Sequence, residues 1–181
     1  VGGEVCAIAS EENEDIITVD TPQSKNAKYV VAMDPLDGSS NIDTNLSIGT
    51  IFSILPLTEG EDPFLQPGSA QLAAGFIVYG PHTDLVLTVR AGTVVFTLDR
   101  ELGQFRLTRA AVAIAEEASE FAINASNRRF WEPGIRAYFD DCLAGTEGPR
   151  GANYNMRWNA SLVAEAYRIL GRGGVDQPLV S

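Results

Sequence analysis

The chain has 181 residues, of which 45% are hydrophobic, and its 24 acidic and 13 basic side chains give a net charge of −11 at pH 7. That length can bury one sizeable core, and the negative charge argues against nucleic acid and anionic membranes as partners. Its two cysteines are too few for a disulfide framework or a zinc site. Neither a signal peptide nor an apolar run of about 18 residues is evident, so we expect a cytoplasmic protein.

The first half of the chain predicts a series of β-strands. Short apolar, β-rich stretches separated by Gly, Pro and Asp turns are typical of a largely antiparallel sheet. These stretches lie at residues 5–9, 16–19, 29–33, 48–55, 76–79, 85–89, 94–98 and 105–108, with a Gly- and Pro-rich loop at 58–68 and a short helix or turn at 69–74.

The pattern changes after residue 110. Residues 111–118 indicate a linker or a frayed helix, 121–124 a strand that opens a second lobe, and 132–143 and 161–170 two helices. The second helix has apolar residues at i, i+1, i+4, i+7 and i+8, which predicts a core-facing side made of Leu162, Val163, Ala166, Ile169 and Leu170. Two glycines at 173–174 are expected to end it, and a lobe boundary falls near residue 112.

Residues 34–43, DPLDGSSNID, carry the strongest functional signal. They follow the apolar strand 29–33, so both carboxylates are expected at a strand end, and the intervening proline restricts their arrangement. The glycine allows close approach of a ligand, and the two serines offer N–H and hydroxyl donors to an anion. Hard oxygen ligands beside a phosphate cradle favour Mg²⁺ or Mn²⁺. A simple helix-capping turn is the structural alternative, but a cap needs one Asp or Ser rather than this whole set.

A second acidic group, Glu11 and Glu12, follows the predicted strand 5–9. Ligands in open α/β sheets tend to bind outside the carboxyl ends of strands, so neighbouring strands could bring these glutamates to Asp34 and Asp37. Such converging carboxylates are stable near neutral pH mainly with cations bound. Taken alone, this acidic run is more typical of a solvated turn.

Residues 28–52 closely resemble class I fructose-1,6-bisphosphatase, as do residues 67–76 (PGSAQLAAGF), 121–124 (FAIN) and 157–165 (RWNASLVAE). The Gly-Ser-Ser sequence is similar to fructose and sedoheptulose bisphosphatases, whereas inositol monophosphatases usually have Gly-Thr-Thr. Residues 127–133 and 147–151 resemble bacterial members. The resemblance implies the layered α+β (α/β) sugar-phosphatase fold, with a mostly antiparallel first sheet. Residues 1–111 would form the metal- and phosphate-binding part of the N-terminal lobe, and residues 112–181 would begin the sugar-phosphate lobe.

The implied reaction is hydrolysis of the 1-phosphate of fructose 1,6-bisphosphate to fructose 6-phosphate, in gluconeogenesis or the Calvin cycle, with two or more Mg²⁺ or Mn²⁺ ions. By resemblance the catalytic residues are Glu12, Asp34 and Asp37, and the metal ligands are Glu11, Asp34, the Leu36 carbonyl and Asp37. The 1-phosphate would bind at Asp37, Gly38, Ser39 and Ser40. The 6-phosphate would contact Asn124 and Trp158, and Arg157 would be offered to the 6-phosphate of a neighbouring subunit. Trp158 stands where the family usually has Tyr, so it lacks that phosphate-binding hydroxyl.

The family has further N-terminal helices and a C-terminal catalytic segment with another metal-binding Glu and a phosphate-binding Lys. We therefore expect this chain to be a fragment with an incomplete site and weak or no turnover by itself, and the full-length form to be a homo-oligomer, such as a homotetramer. Two alternatives stay open. The first is a sedoheptulose-1,7-bisphosphatase or another sugar or inositol phosphatase, and the second is an inactive fragment that binds metal or sugar phosphate.

Overall fold

A computed structural model of the chain describes residues 3–58, 60 and 62–172. Eight strands form one sheet in the order β2-β1-β3-β4-β5-β6-β7-β8. Each neighbouring pair is antiparallel except β1 and β3, which run parallel, so the predicted largely antiparallel sheet is confirmed. The strands are β1 (Val5–Ser10), β2 (Ile17–Thr18), β3 (Tyr29–Asp37), β4 (Ile48–Pro56), β5 (Ala73–Tyr79), β6 (Thr83–Thr88), β7 (Thr93–Asp99) and β8 (Gln104–Val112).

The parallel pairing of β1 and β3 brings the acidic stretches to one edge of the sheet. Ser10 lies opposite Met33, and the backbone N–H of Glu11 donates to the carbonyl of Met33 at 3.0 Å. Glu11 therefore leaves β1 beside the point where β3 reaches Asp34. This is the strand arrangement on which the predicted approach of the acidic groups depends.

Strand β3 does not end at Met33, as the apolar run suggested, but continues to Asp37. Asp34 pairs with Ile51 and Asp37 with Gly49, so three steps along β3 match two along β4. This mismatch is a β-bulge, and a bulge can accommodate Pro35, which has no N–H to donate to a ladder. The predicted metal ligands thus lie on a bulge within the strand rather than in a loop after it.

The second part of the chain is smaller. Strands β9 (Glu120–Ala122) and β10 (Asn155–Arg157) pair in parallel, and the helices are α1 (Pro133–Leu143) and α2 (Leu162–Arg172). Both predicted helices are present, whereas β10 was not predicted. The frayed-helix alternative for 111–118 is wrong, because residues 111–112 belong to β8 and 113–118 are irregular. Residues 173–174, expected to end α2, lie outside the described residues.

Helix α2 packs on β4 and β5 through Val163, which is fully buried. A Cβ at Gly49 would lie 2.5 Å from Cγ2 of Val163, so position 49 must be glycine for Val163 to pack there. The predicted apolar face of α2 is wrong at Leu162 and Ile169, which are 64% and 45% exposed. The buried side of α2 instead includes Glu165, whose carboxylate pairs with Arg168.

A separate small core lies under α1. Phe139 makes edge-to-face contacts with Phe121 of β9 and with Trp131, and Cys142 is buried beside them. Such aromatic pairs add to the stability gained by burial. In the part of the chain that the structure describes, helices are too short or too polar to cross a membrane.

Candidate phosphate-binding site

The β3 bulge is held rigidly by hydrogen bonds to its backbone. The N–H of Leu36 donates to Oδ1 of Asp34 at 2.9 Å, and the hydroxyl of Thr50 on β4 donates to the carbonyl of Pro35 at 2.9 Å. The Thr50 oxygen also lies 2.9 Å from the hydroxyl of Tyr79 on β5. The bulge is therefore fixed by the hydrogen bond between Leu36 and Asp34 and by Thr50 of β4, which in turn contacts Tyr79 of β5.

The chain leaves the bulge through a tight turn at Gly38. This residue has φ 76° and ψ 28°, the left-handed conformation that favours glycine, and a short 3-10 turn follows at Ser39–Asn41. Ser39 and Ser40 are exposed. The buried amide of Asn41 donates to the carbonyls of Ser47 (3.3 Å) and Asn159 (2.9 Å), which anchors the turn underneath. We call Ser39–Asn41 the serine turn. Because its two serines are exposed and Asn41 anchors it, the serine turn is suited to binding an anion.

Asp37 is bonded to the start of helix α2. Its Oδ2 accepts from the hydroxyl of Ser161 and from the N–H of Val163, each at 2.9 Å. The first N–H groups of a helix have no partner within the helix, and a carboxylate there also interacts favourably with the helix dipole. One carboxylate oxygen of Asp37 is thus committed to α2. Sequence reasoning did not select Ser161, although a serine directly before an amphipathic helix is a typical N-cap signal.

The predicted metal ligands offer oxygen donors but do not form a closed cluster. Glu11 and Glu12 are exposed, and within residues 3–58, 60 and 62–172 no three His, Cys, Asp or Glu side chains are grouped to hold a metal ion. Mg²⁺ is commonly bound by one or two carboxylates, with water and substrate phosphate as its other ligands. Asp34, Asp37 and the Leu36 carbonyl on one bulge fit that pattern. The convergence of Glu11 or Glu12 with them stays a prediction.

The other predicted substrate contacts lie at the ends of two adjacent strands. Arg157 closes β10 opposite Ala122 of β9, and Asn124 follows two residues after Ala122. The side-chain oxygen Oδ1 of Asn124 accepts from the N–H of Ser126 at 3.2 Å and thereby caps a short 3-10 helix. Arg157 is half exposed, and Trp158 is 48% exposed. The structure thus places Asn124, Arg157 and Trp158 at or just beyond the carboxyl-terminal ends of β9 and β10.

A largely buried cluster of ion pairs holds strands β9 and β10 against helix α2. The sequence did not predict this cluster. The carboxylate of Glu120, 8% exposed, pairs with Arg168 at 2.5 Å and also contacts Arg157 and Arg172. Glu165 pairs with Arg168 at 2.7 Å and accepts from the N–H of Asn159 at 3.0 Å. These charges have no periodicity that marks them as buried, so the sequence offered no signal for the cluster.

The segment from residue 157 to 163 connects the two groups of candidate residues. It begins at Arg157, passes Asn159, whose carbonyl accepts from Asn41, and ends at Ser161 and Val163, which both bond to Asp37. The serine turn and the Arg157 end of β10 are therefore joined by one short segment of the chain.

Comparisons with known proteins agree with this arrangement. The family model described as Fructose-1-6-bisphosphatase, N-terminal domain, matches residues 1–110, and the model for the C-terminal domain matches residues 114–177. The lobe boundary near residue 112 stays a prediction. The chain is 58% identical over 169 residues to the class 1 fructose-1,6-bisphosphatase of Rhodopseudomonas palustris (strain HaA2), covering 93% of this chain and 48% of the relative. It is 54% identical to that of Hydrogenophilus thermoluteolus, covering 96% of this chain and 50% of the relative.

Solved structures show the same fold. Leishmania major fructose-1,6-bisphosphatase in holo form matches with a TM-score of 0.81 and 35% identity over 93% of this chain and 53% of that one. The apo form matches with a TM-score of 0.83 and 33% identity over 95% of this chain and 57% of that one. The chain thus spans about half the length of the curated relatives that it matches. On both the family models and the fold, this chain belongs to the fructose-1,6-bisphosphatase family.

Proposed function

We propose that this chain carries the phosphate-binding part of an enzyme that hydrolyses the 1-phosphate of fructose 1,6-bisphosphate and releases fructose 6-phosphate. The observation that carries the proposal is the exposed Ser39-Ser40 turn, fixed between the β3 bulge and the start of α2. The 58% identity to a class 1 fructose-1,6-bisphosphatase supports this substrate.

The site residues can be given separate tasks under this proposal. The N–H and hydroxyl groups of Ser39 and Ser40 would bind the 1-phosphate, which Gly38 allows to approach the backbone closely. Asn124 and Arg157 would bind the 6-phosphate, and Arg157 is half exposed, as a residue offered to a neighbouring subunit would be. In the reaction the bond between phosphorus and the C1 oxygen breaks, a water oxygen bonds to phosphorus, and the sugar oxygen takes up a proton. Glu12 would help to orient that water.

The proposal includes a requirement for Mg²⁺ or Mn²⁺, with two or more ions. Asp34, the Leu36 carbonyl and Asp37 would hold an ion together with Glu11, water and the substrate phosphate, and their hard oxygen donors support this. When bound, such an ion supplies charge neutralisation and a more acidic water. The exposure of Glu11 is consistent with a side chain that takes up its position when the ion binds.

Phosphate release from fructose 1,6-bisphosphate, measured with Mg²⁺, with Mn²⁺ and with a chelator, tests the proposal. The Asp34→Asn variant keeps the side-chain shape but removes a charge, so we expect metal-dependent release to disappear. Asp140→Asn is the matched control, because Asp140 pairs with Arg128 on the exposed surface of α1. Release that is independent of metal, or equal in wild type and Asp34→Asn, would contradict the proposal.

A second candidate is binding without turnover. It is favoured by the absence of a three-carboxylate cluster in the described part of the chain. Calorimetry with fructose 1,6-bisphosphate and Mn²⁺ separates the two candidates, because binding with no phosphate release selects the second. Parallel assays with sedoheptulose 1,7-bisphosphate and inositol phosphates test the remaining alternative, since the serine turn recognises a phosphate rather than a particular sugar.

A further inference from the structure

The first residues of helix α2 and the residues just before it contact the serine turn and hold it in place. Three contacts join the two. Oδ2 of Asp37 accepts from Ser161 and Val163 at 2.9 Å, the amide of Asn41 donates to the carbonyl of Asn159 at 2.9 Å, and Gly38 lies against the Ser161 side chain. A Cβ at Gly38 would be 2.9 Å from Cβ of Ser161, so the two residues are in close contact.

Ser161 is the centre of these contacts. It is 3% exposed, its hydroxyl donates to Asp37, and the same oxygen accepts from the N–H of Ala164 at 3.4 Å. A serine hydroxyl has one proton to donate, and here that proton goes to Asp37. The hydroxyl thus links the N-terminus of α2 to the residue that precedes the turn, with Ser161 buried and Asp37 partly buried.

Val163 makes the contact rigid. Its side chain is fully buried against Gly49 of β4, which has no side chain to exclude it. Its N–H donates to Asp37. The start of α2 can therefore not slide along the sheet without losing this packing. Asp37, the last residue of β3, is therefore held in a fixed position relative to the start of α2.

We infer that Ser161 is a positioning residue for the phosphate-binding turn: it holds Asp37, and through it Gly38, Ser39 and Ser40, in the conformation that receives the phosphate. The inference rests on the proposed function. At 3% exposure Ser161 is too buried to meet the substrate directly, so it acts through Asp37.

The test compares Ser161→Ala with Ser53→Ala. Ser53 is a matched control, because its buried hydroxyl has no hydrogen-bond partner within the described part of the chain. Calorimetry with fructose 1,6-bisphosphate and with inorganic phosphate, both without metal, gives the dissociation constants. Steady-state phosphate release separates KM from kcat, urea unfolding reports stability, and hydrogen exchange of the Val163 N–H reports the contact with Asp37.

We expect Ser161→Ala to raise the dissociation constant for fructose 1,6-bisphosphate by about 10-fold, which corresponds to the loss of one hydrogen bond to a charged group. Ser53→Ala should bind like wild type. Ser161→Cys keeps the side-chain shape with a somewhat larger sulfur atom and donates weakly, so its dissociation constant should fall between the two. The Cys variant also serves if the Ala variant does not fold.

Each other outcome overturns the inference in a distinguishable way. Equal binding by Ser161→Ala, Ser161→Cys and Ser53→Ala, with wild-type binding intact, leaves the proposed function standing and shows that Ser161 acts as a helix cap alone. A wild-type chain that binds neither probe contradicts the proposed function as well. In that case a protected Val163 N–H would show that the contact between α2 and Asp37 is purely structural.

Discussion

The hydroxyl of Tyr167, in the middle of α2, donates a 2.5 Å hydrogen bond to Oδ2 of Asp84 on strand β6. Asp84 is 5% exposed, and its other oxygen has no hydrogen-bond partner within residues 3–58, 60 and 62–172. The guanidinium of Arg109 lies 5.7 Å from the centre of the Tyr167 ring. This contact is a polar attachment of α2 to the sheet, separate from the one at Asp37.

Replacing Tyr167 by Phe should destabilise the chain. The substitution leaves the buried carboxylate of Asp84 without its hydroxyl donor, which costs about 1–3 kcal/mol. Urea unfolding of Tyr167→Phe measures the loss. Tyr154→Phe is the control, because Tyr154 is also partly buried and its hydroxyl makes no hydrogen bond within the described residues. Equal stability of the two variants would contradict the role given to the Asp84 contact.

The same contact predicts a loss of stability at alkaline pH. Burial, followed by the hydrogen bond to Asp84 and the repulsion from its charge, raises the pKa of Tyr167 from 10.0 to about 12. Because the folded state favours the protonated hydroxyl, its contribution to stability is fully present below pH 10.0 and is lost as the pH rises towards 12. Urea unfolding at several pH values checks this, and Tyr167→Phe should weaken the dependence.

An ultraviolet titration of the phenol groups gives a second readout of this pKa. Two of the five tyrosines, Tyr167 and Tyr138, should ionise late, and the Tyr167 component should vanish in Tyr167→Phe. The Tyr138 component should survive in the variant, because burial and the neighbouring Cys142 thiol raise the pKa of Tyr138 as well. An unchanged titration curve would refute the assignment to Tyr167.

Replacing Gly38 by Ala should be more damaging than the same change at Gly103. Both glycines have positive φ, 76° and 63°, so alanine costs about 1–2 kcal/mol of backbone strain at either position. At Gly103 the added methyl group meets open space, whereas at Gly38 it would lie 2.9 Å from Cβ of Ser161. We expect overpacking to add about 1–3 kcal/mol at Gly38.

Unfolding measurements on Gly38→Ala and Gly103→Ala check this difference. Calorimetry with fructose 1,6-bisphosphate should also show weaker binding by Gly38→Ala and normal binding by Gly103→Ala. Similar losses of stability and affinity in the two variants would show that the close contact between the turn and Ser161 does not form in solution.

Local patterns predicted the sheet well, because its strands are apolar runs separated by turn residues. The end of β3 was predicted too early, since Asp34 and Pro35 interrupt the apolar pattern although the backbone continues as a bulge to Asp37. Strand β10 was missed because its three residues, all exposed, show no apolar alternation. A strand that is specified by its neighbours cannot be recognised from its own composition.

The site was predicted to the extent that its residues are contiguous. The sequence marked Asp34 to Ser40 as a unit because the turn residues and carboxylates follow one another. Ser161 and Val163 were not selected, although they bond to Asp37, because they lie 124 and 126 residues further along the chain. Such contacts depend on where α2 docks, and that depends on buried charges that resemble surface charges in the sequence.

Replacing Arg168 by Met should destabilise the chain strongly. Arg168 joins Glu120 and Glu165, and the side chains of all three are 15% exposed or less, so the change leaves two largely buried carboxylates with fewer partners. Removing one partner of a buried ion pair typically costs about 3–5 kcal/mol. Arg172 also contacts Glu120 and lowers the loss, so we expect a value near the bottom of this range.

Arg106→Met is the matched control for this change. Arg106 is 71% exposed and lies 3.6 Å from Asp99, and an exposed pair of this kind contributes at most about 1 kcal/mol. Urea unfolding of Arg168→Met, Arg106→Met, Glu120→Gln and the double variant Glu120→Gln/Arg168→Met tests whether the buried cluster stabilises the chain. The double variant should lose less stability than the sum of the single changes, because it no longer leaves the Glu120 charge buried with fewer partners. Strict additivity, or equal losses for Arg168→Met and Arg106→Met, would show that the cluster is not what holds β9 and β10 against α2.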